Sequence, residues 1–186
     1  ADLKWLADPT EEPEPFGDGG TKMAWNTFNV VSIYPNGNPV MSDVNQRWVG
    51  DCCACAVIAS MAYLYPRFVK HIIKDNMDKT YTVTMYDPKG KQISVGVGGD
   101  YFIGNSGDLG ALGGRNKEVT WATILEKAMI KWNQIYQGSS NVGGIGTEYV
   151  SAIFTGDGES VGFGANALIA EDLQRAVEVS LKQGRL

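Results

Sequence analysis

The chain has 186 residues, 44% hydrophobic and 20% charged, which is typical of one globular domain that buries a core. With a net charge of −5 and no Lys/Arg cluster, it has no means of neutralising a row of phosphates, which excludes nucleic acid as an expected partner. No apolar run reaches the roughly 20 residues of a membrane-spanning helix, so we expect no membrane span.

The N-terminal segment has no periodic pattern. Residues 1–20 mix prolines, acidic residues and glycines, which predicts an extended, loosely attached arm outside the core. We assign residues 1–40 to a partly irregular N-terminal extension, since a turn also interrupts residues 35–39. The chain begins with Ala1 and shows no basic leader followed by an apolar stretch, so localisation stays open between the cytoplasm and export after signal-peptide removal.

The three cysteines of the chain lie together in VNQRWVGDCCACA, at Cys52, Cys53 and Cys55. They are too close together to join distant segments, and no fourth cysteine is present to complete a disulfide framework. A structural zinc site usually takes two spaced pairs of Cys or His ligands, whereas this chain has one cluster and a single histidine, His71. Neither a disulfide framework nor a zinc site is therefore favoured.

The residues after this cluster predict a buried helix from about Cys52 to Tyr65, because they are apolar nearly all round and Pro66 follows. A thiolate in the first turn of a helix is stabilised by the helix dipole and by unpaired backbone N–H groups. Cys52 is therefore a candidate nucleophile, and Gln46 is placed to donate to an oxyanion. The pattern also fits a plain buried cysteine, and a glutamine that caps the helix or bonds a loop.

Three segments follow. Residues 67–76 predict a short helix in which His71 is a surface or packing residue. Residues 79–97 alternate apolar and polar side chains on both sides of the turn Asp87-Pro88-Lys89-Gly90, which predicts a β-hairpin. Residues 96–114 are crowded with glycine and predict a long irregular surface loop.

The stretch WATILEKAMIKWNQIY predicts a helix with one buried stripe, since its apolar residues recur at helical spacing. Glu126, Lys127 and Lys131 are expected to face elsewhere. After a second glycine-rich loop, a last helix is predicted between Asn166 as its N-cap and Gly184 at its end. Helices, one hairpin and glycine loops together predict an α+β domain.

The segment QRWVGDC with the apolar helix after it resembles the nucleophile segment of the calpain family of papain-like cysteine proteases, usually Q-G-x-x-G-D-C-W. The hairpin, the W-A-T-I-L-E-K-A helix and EYVSAIFTGDG are similar to family segments in the same order, so the resemblance covers about residues 41–160. It implies a papain-like fold in which residues 41–186 form the cysteine-bearing lobe, mainly helical with a β-hairpin. The sequence departs from the family where Cys53 replaces a tryptophan and Arg47 replaces a glycine.

The resemblance also implies roles for particular residues. Cys52 corresponds to the nucleophile, Gln46 to the oxyanion-hole side chain, and the backbone N–H of Cys52 to the second donor. Gly143 and Gly144 lie near the glycine pair that binds an extended peptide substrate.

Asp43 and Glu126 match positions that resemble a calcium site of animal calpains. Calcium is thus a candidate ligand, although the thiol chemistry requires no cofactor.

The histidine and asparagine of papain-like enzymes follow the cysteine by about 130–150 residues, and His71 is far short of that distance. We therefore expect a second, β-rich lobe carrying His and Asn after Leu186, in the same protein or as a separate chain. The implied function is a cysteine endopeptidase that cleaves peptide or protein substrates. The alternative is a catalytically inactive, calpain-like binding or regulatory module.

Overall fold

The computed structural model describes residues 2–18, 21–159 and 169–184. Its helices are α1 (Leu3–Ala7), α2 (Cys52–Leu64), α3 (Pro66–Ile72), α4 (Trp121–Gln137), α5 (Thr147–Thr155) and α6 (Ala170–Lys182), with a short 3₁₀ helix at Met41–Asp43. Its strands are β1 (Gly17–Asp18), β2 (Thr21–Lys22), β3 (Ala24–Thr27), β4 (Ile73–Asp75), β5 (Tyr81–Tyr86), β6 (Gln92–Val97) and β7 (Asp100–Ile103). This mixture of helices and small antiparallel sheets confirms the α+β class.

The hairpin predicted for residues 79–97 is confirmed. Strands β5 and β6 pair antiparallel, from Tyr81 opposite Val97 to Tyr86 opposite Gln92. Strand β4 adds a third strand on the other side of β5, and β3 pairs separately with β7. The sequence pattern missed β4 because three residues show too little alternation to be recognised as a strand.

Helix α2 begins at Cys52, as predicted, and ends at Leu64. Its buried residues are Ala54, Val57, Ile58, Met61 and Ala62, and the helix packs against α3, α4 and α5. Pro66 ends it and opens α3, since proline has no N–H but suits the first turn of a new helix. In the described part of the chain no single helix is long and apolar enough to cross a membrane, and α2 with α3 reaches that length only as a pair bent by 112°.

Helix α4 is buried on every side from Trp121 to Asn133, which corrects the prediction of one buried stripe. Glu126, Lys127 and Lys131 were expected to face elsewhere, yet each is no more than 2% exposed. The pattern misled because charged residues in a helix usually mark its solvated face. Here a second layer of protein covers that face.

The covering layer is the N-terminal arm, which was predicted to be loosely attached. The Lys131 Nζ donates to the carbonyl oxygens of Asp8 and Gly96, each at 2.8 Å. The Lys127 Nζ lies 2.7 Å from the Glu12 carboxylate, and Leu6 of α1 is fully buried. The arm therefore packs against the core and supplies a partner to each of the two buried lysines.

The glycine-rich stretch at residues 96–114 is not a surface loop as predicted. It contains β7 and the buried side chains of Leu109 and Leu112. A Cβ atom on Gly96 would lie 2.4 Å from the carbonyl oxygen of Ala7, so glycine is needed here for close approach of two backbones. Composition alone does not distinguish that use of glycine from a mobile loop.

The last helix, α6, ends before Gly184, which has a φ of +67° as expected for a helix terminator. Asn166, the predicted N-cap, lies outside the described residues. Within the described residues α6 begins at Ala170 and has no buried side chain.

Replacing Lys131 with methionine tests the attachment of the arm. The change leaves the carbonyls of Asp8 and Gly96 without their donor, so we expect the free energy of unfolding to fall by about 2 kcal/mol. Urea unfolding at pH 7 measures it, with Lys182→Met on the exposed α6 as the matched control. Equal stabilities of the two variants would show that these bonds do not hold the fold.

Lys131 should also make the free energy of unfolding depend on pH in a direction that can be predicted. Burial lowers the pKa of Lys131 to about 8, whereas lysine in an unfolded chain titrates near about 10.4. At a pH between these two pKa values, Lys131 is more fully protonated in the unfolded chain than in the folded protein. The free energy of unfolding of the wild type should therefore rise with pH relative to that of Lys131→Met. Urea titrations from about pH 7 to pH 10 measure this difference, and a difference that falls over the interval would refute the assignment.

Candidate active site

Cys52 is the first residue of α2 and is exposed to solvent. This is the placement that a nucleophile requires, because a buried sulfur could not reach a substrate carbonyl. The first N–H groups of an α-helix have no partner inside the helix, and the N-cap residue Asp51 makes no side-chain bond to any of them. Within the described part of the chain, the first-turn N–H groups of α2 therefore stay available as donors near the exposed thiol.

The other two cysteines differ from Cys52 in their surroundings. Cys53 and Cys55 are both half-buried. The Cys55 Sγ donates to Oδ1 of Asp51 at 3.5 Å, and burial, reinforced by the nearby Asp51, raises the pKa of the Cys55 thiol strongly. Burial also raises the pKa of Cys53, with the neighbouring Cys52 adding to the effect. Both thiols are thus held in the neutral form, which agrees with packing roles.

Gln46 lies at the surface of the loop before α2. Its Nε2 donates to the carbonyl oxygen of Val49 at 2.9 Å. This is the loop bond that the sequence left open as an alternative to an oxyanion role. An amide nitrogen carries two hydrogens, so one donor remains after the bond to Val49, and the oxyanion role of Gln46 stays a prediction.

Gly143 and Gly144 lie directly beside the segment that leads to Cys52. The Gly144 N–H donates to the carbonyl oxygen of Gly50 at 3.1 Å. Both glycines are exposed and line an open pocket of about 320 Å³. Other residues that line this pocket include Trp132, Val142, Ile145 and Tyr149. The fold thus brings the predicted substrate-binding glycines into contact with Gly50, two residues before Cys52.

Asp43 is buried and bonded on both carboxylate oxygens. Its Oδ1 accepts from Asn36 Nδ2 at 2.8 Å. Its Oδ2 accepts from the Trp121 indole at 2.8 Å and from the Val40 N–H at 3.2 Å. This carboxylate therefore joins the loop before α2 to the start of α4.

Glu126 and Asp51 are both buried, and Asp51 is the aspartate of the G-D-C motif, for which the sequence predicted no role. Glu126 Oε1 accepts the Leu112 N–H at 3.1 Å. Burial, with the nearby Asp51 adding, raises the pKa of Glu126 well above its ordinary value. The G-D-C motif was the signal that could have singled out Asp51.

These contacts do not fit a calcium site formed by Asp43 and Glu126. The oxygens of Asp43 are already occupied by N–H donors, and the environment of Glu126 favours a neutral carboxyl rather than the charged ligand that calcium prefers. Across residues 2–18, 21–159 and 169–184, no group of three His, Cys, Asp or Glu side chains is placed to hold a metal. Calcium binding stays a prediction from the resemblance alone.

His71 is exposed on α3, in agreement with a surface histidine. Helix α3 starts at the end of α2 opposite Cys52, about 18 Å away by helical rise. A general base must lie within hydrogen-bond reach of its nucleophile. His71 therefore does not serve Cys52 in this fold.

The fold and the site define an α+β domain that presents a cysteine at a helix start beside a glycine-lined pocket. The profile of the calpain family of cysteine proteases matches residues 25–184. The chain belongs to this family. A comparison with curated protein sequences found no match. The match includes residues 25–40, and the domain boundary predicted at residue 40 stays a prediction.

Removing calcium tests whether Asp43 and Glu126 bind this metal. A ligand that binds the folded state raises the melting temperature. We expect calcium and a chelator such as EGTA to give melting temperatures within about 1 °C of each other, since neither carboxyl is open to a metal. Differential scanning calorimetry measures this, with magnesium as the control salt, and a rise specific to calcium would restore the predicted site.

Proposed function

We propose that this chain is the cysteine-bearing lobe of a calpain-type endopeptidase with a papain-like fold. The observation that carries the proposal is the exposed thiol of Cys52 at the uncapped start of α2, in a chain of the calpain family. Family membership supports cysteine peptidase chemistry, and the surroundings of Cys52 favour this sulfur over Cys53 and Cys55.

In the proposed reaction an imidazole takes the proton of the Cys52 thiol, and the thiolate forms an S–C bond to a peptide carbonyl, whose electron pair moves onto oxygen. The Cys52 N–H and the free hydrogen of the Gln46 amide donate to that oxyanion. The intermediate collapses, the C–N bond breaks, and the leaving amine takes a proton from an imidazolium. Water then hydrolyses the thioester and restores the thiol. Gly143 and Gly144 bind the extended substrate through their main chain.

The imidazole in this scheme comes from outside the present sequence. The single histidine of the chain, His71, lies at the far end of α2 from Cys52. We propose that a β-rich lobe supplies the histidine and the asparagine that orients it, either as a later part of the same protein or as a second chain. The active site would then form in the cleft between the two lobes.

A second candidate function is a catalytically inactive binding or regulatory module. The hydrogen bond from Gln46 to Val49 favours it, since that bond engages the proposed oxyanion donor within its own loop. Such a module would keep the pocket beside Gly143 and Gly144 for peptide binding without cleaving the peptide.

Labelling separates the two functions. The protein, together with any region that flanks these residues, is treated with a peptidyl epoxide and analysed by mass spectrometry, and peptide hydrolysis is measured in parallel. We expect a single adduct on Cys52, and a loss of hydrolysis of about a thousandfold or more in Cys52→Ser. Cys53→Ser is the matched control and should keep both signals. Peptide binding without an adduct or hydrolysis would favour the inactive module.

A further inference from the structure

Two of the three cysteines share one face of helix α2 at its start. The order there is Cys52-Cys53-Ala54-Cys55, so Cys52 and Cys55 are three positions apart within the helix. Residues at this spacing are neighbours on a helix surface, with their Cβ atoms about 5–6 Å apart. Adjacent residues do not face each other, so Cys53 lies on a different face. Cys55 is therefore the cysteine that stands next to Cys52.

A hydrogen bond draws the Cys55 sulfur toward the start of the helix. Side chains of an α-helix lean toward its N-terminus, and the Cys55 Sγ reaches back to donate to Oδ1 of Asp51 at 3.5 Å. Asp51 is the N-cap residue of α2 and is fully buried, so the core holds this acceptor in place. The Cys55 sulfur thus lies over the turn that contains Cys52.

The two thiols differ in exposure as the members of a redox pair do. Cys52 is exposed and open to a small oxidant, whereas Cys55 is half-buried. Burial raises the pKa of the Cys55 thiol, which keeps it neutral and slow to react with an oxidant directly. An accessible cysteine with a second, resolving cysteine beside it is the arrangement found in redox-sensitive sites.

We propose that Cys52 and Cys55 are a redox pair, which a hydroperoxide converts into a disulfide within the first turn of α2. The disulfide occupies the Cys52 sulfur and stops nucleophilic attack until a thiol reduces it. It also protects that sulfur from irreversible oxidation. The effect on catalysis rests on the proposed function of Cys52, whereas formation of the bond does not.

The oxidation takes two steps. The Cys52 thiolate attacks one oxygen of the hydroperoxide, the O–O bond breaks, and the departing oxygen takes a proton from solvent, which leaves a sulfenic acid on Cys52. The Cys55 sulfur then attacks the Cys52 sulfur, and the S–O bond breaks as the hydroxyl group leaves with the Cys55 proton as water. The two thiols have lost an electron pair to the hydroperoxide, and an external thiol returns it on reduction.

Closing the bond requires a small change in the first turn of α2. A disulfide holds its two Cβ atoms about 3.5–4.5 Å apart, which is about 1–2 Å closer than in a regular α-helix. Tightening the turn to 3₁₀ geometry supplies this movement, because residues three positions apart then eclipse each other. Such tightening is common at helix ends, so the rest of α2 keeps its packing.

Mass spectrometry of peroxide-treated protein tests the proposal. Trypsin releases all three cysteines in one peptide, residues 48–67. After mild hydrogen peroxide and then iodoacetamide, we expect this peptide to lose two hydrogens and to carry its adduct on Cys53. Dithiothreitol added before iodoacetamide should restore the labelling of Cys52. A sulfinic acid on Cys52 beside a free Cys55 thiol, or a disulfide that includes Cys53, would overturn the proposal.

Matched substitutions identify the partner of Cys52. In Cys55→Ser the sulfenic acid has no resolving thiol on its face of the helix, so dithiothreitol should recover less than about a tenth of the Cys52 thiol. The serine hydroxyl still donates to Asp51, which preserves the local packing. Cys53→Ser is the control and should recover Cys52 as fully as the wild type. Equal recovery in Cys55→Ser and the wild type would show that Cys55 is not the partner.

The wild-type measurement does not depend on how well a variant folds, and circular dichroism establishes whether each variant is folded. Non-reducing electrophoresis tests whether the bond lies within one chain, and oxidised protein that runs as linked dimers would contradict the proposal. None of these measurements uses a substrate or a histidine. The disulfide can therefore form in an inactive module, or fail to form in a protein that cleaves peptides.

Discussion

Helix α4 is enclosed by protein on all sides, and its charged side chains must find partners in the interior. A charge removed from water without a partner is strongly destabilising. Lys131 bonds the main chain of Asp8 and Gly96, Lys127 pairs with Glu12, and Glu126 accepts the Leu112 N–H from the loop before α4. Because these side chains point to different parts of the fold, the burial of one helix joins the N-terminal arm, the sheet and the loop before α4.

The start of α2 is held by hydrogen bonds between the loops around it. The loop before Cys52 is held by the Arg47 guanidinium, which donates to the carbonyl of Gly114. The Gly144 N–H donates to the carbonyl oxygen of Gly50. These bonds act on main-chain groups, so they position the backbone around the thiol and leave the side chain of Cys52 exposed. A functional group on a rigid support with an open face suits nucleophilic chemistry.

The parts of the fold that depend on local pattern could be predicted from the sequence. Helix α2 and the hairpin of β5 and β6 were found because apolar runs, alternation and turn residues act over a few positions. The predicted environment of α4 was wrong because its partners are remote: Lys131 and Asp8 are 123 positions apart. The prediction of a surface loop at residues 96–114 was wrong for the same reason. Gly96 is required because the backbone of Ala7, which is remote in sequence, lies too close for a side chain.

The sequence by itself determined the family, the hairpin of β5 and β6 and the place of Cys52 at a helix start, because each follows from residues close together in the chain. Only the tertiary structure decided which polar groups are buried, Asp51 and Glu126 among them, and that His71 lies far from Cys52. These outcomes depend on which segments cover one another and on the need of buried polar groups for a partner. The pattern of a single segment carries no information about what packs against it.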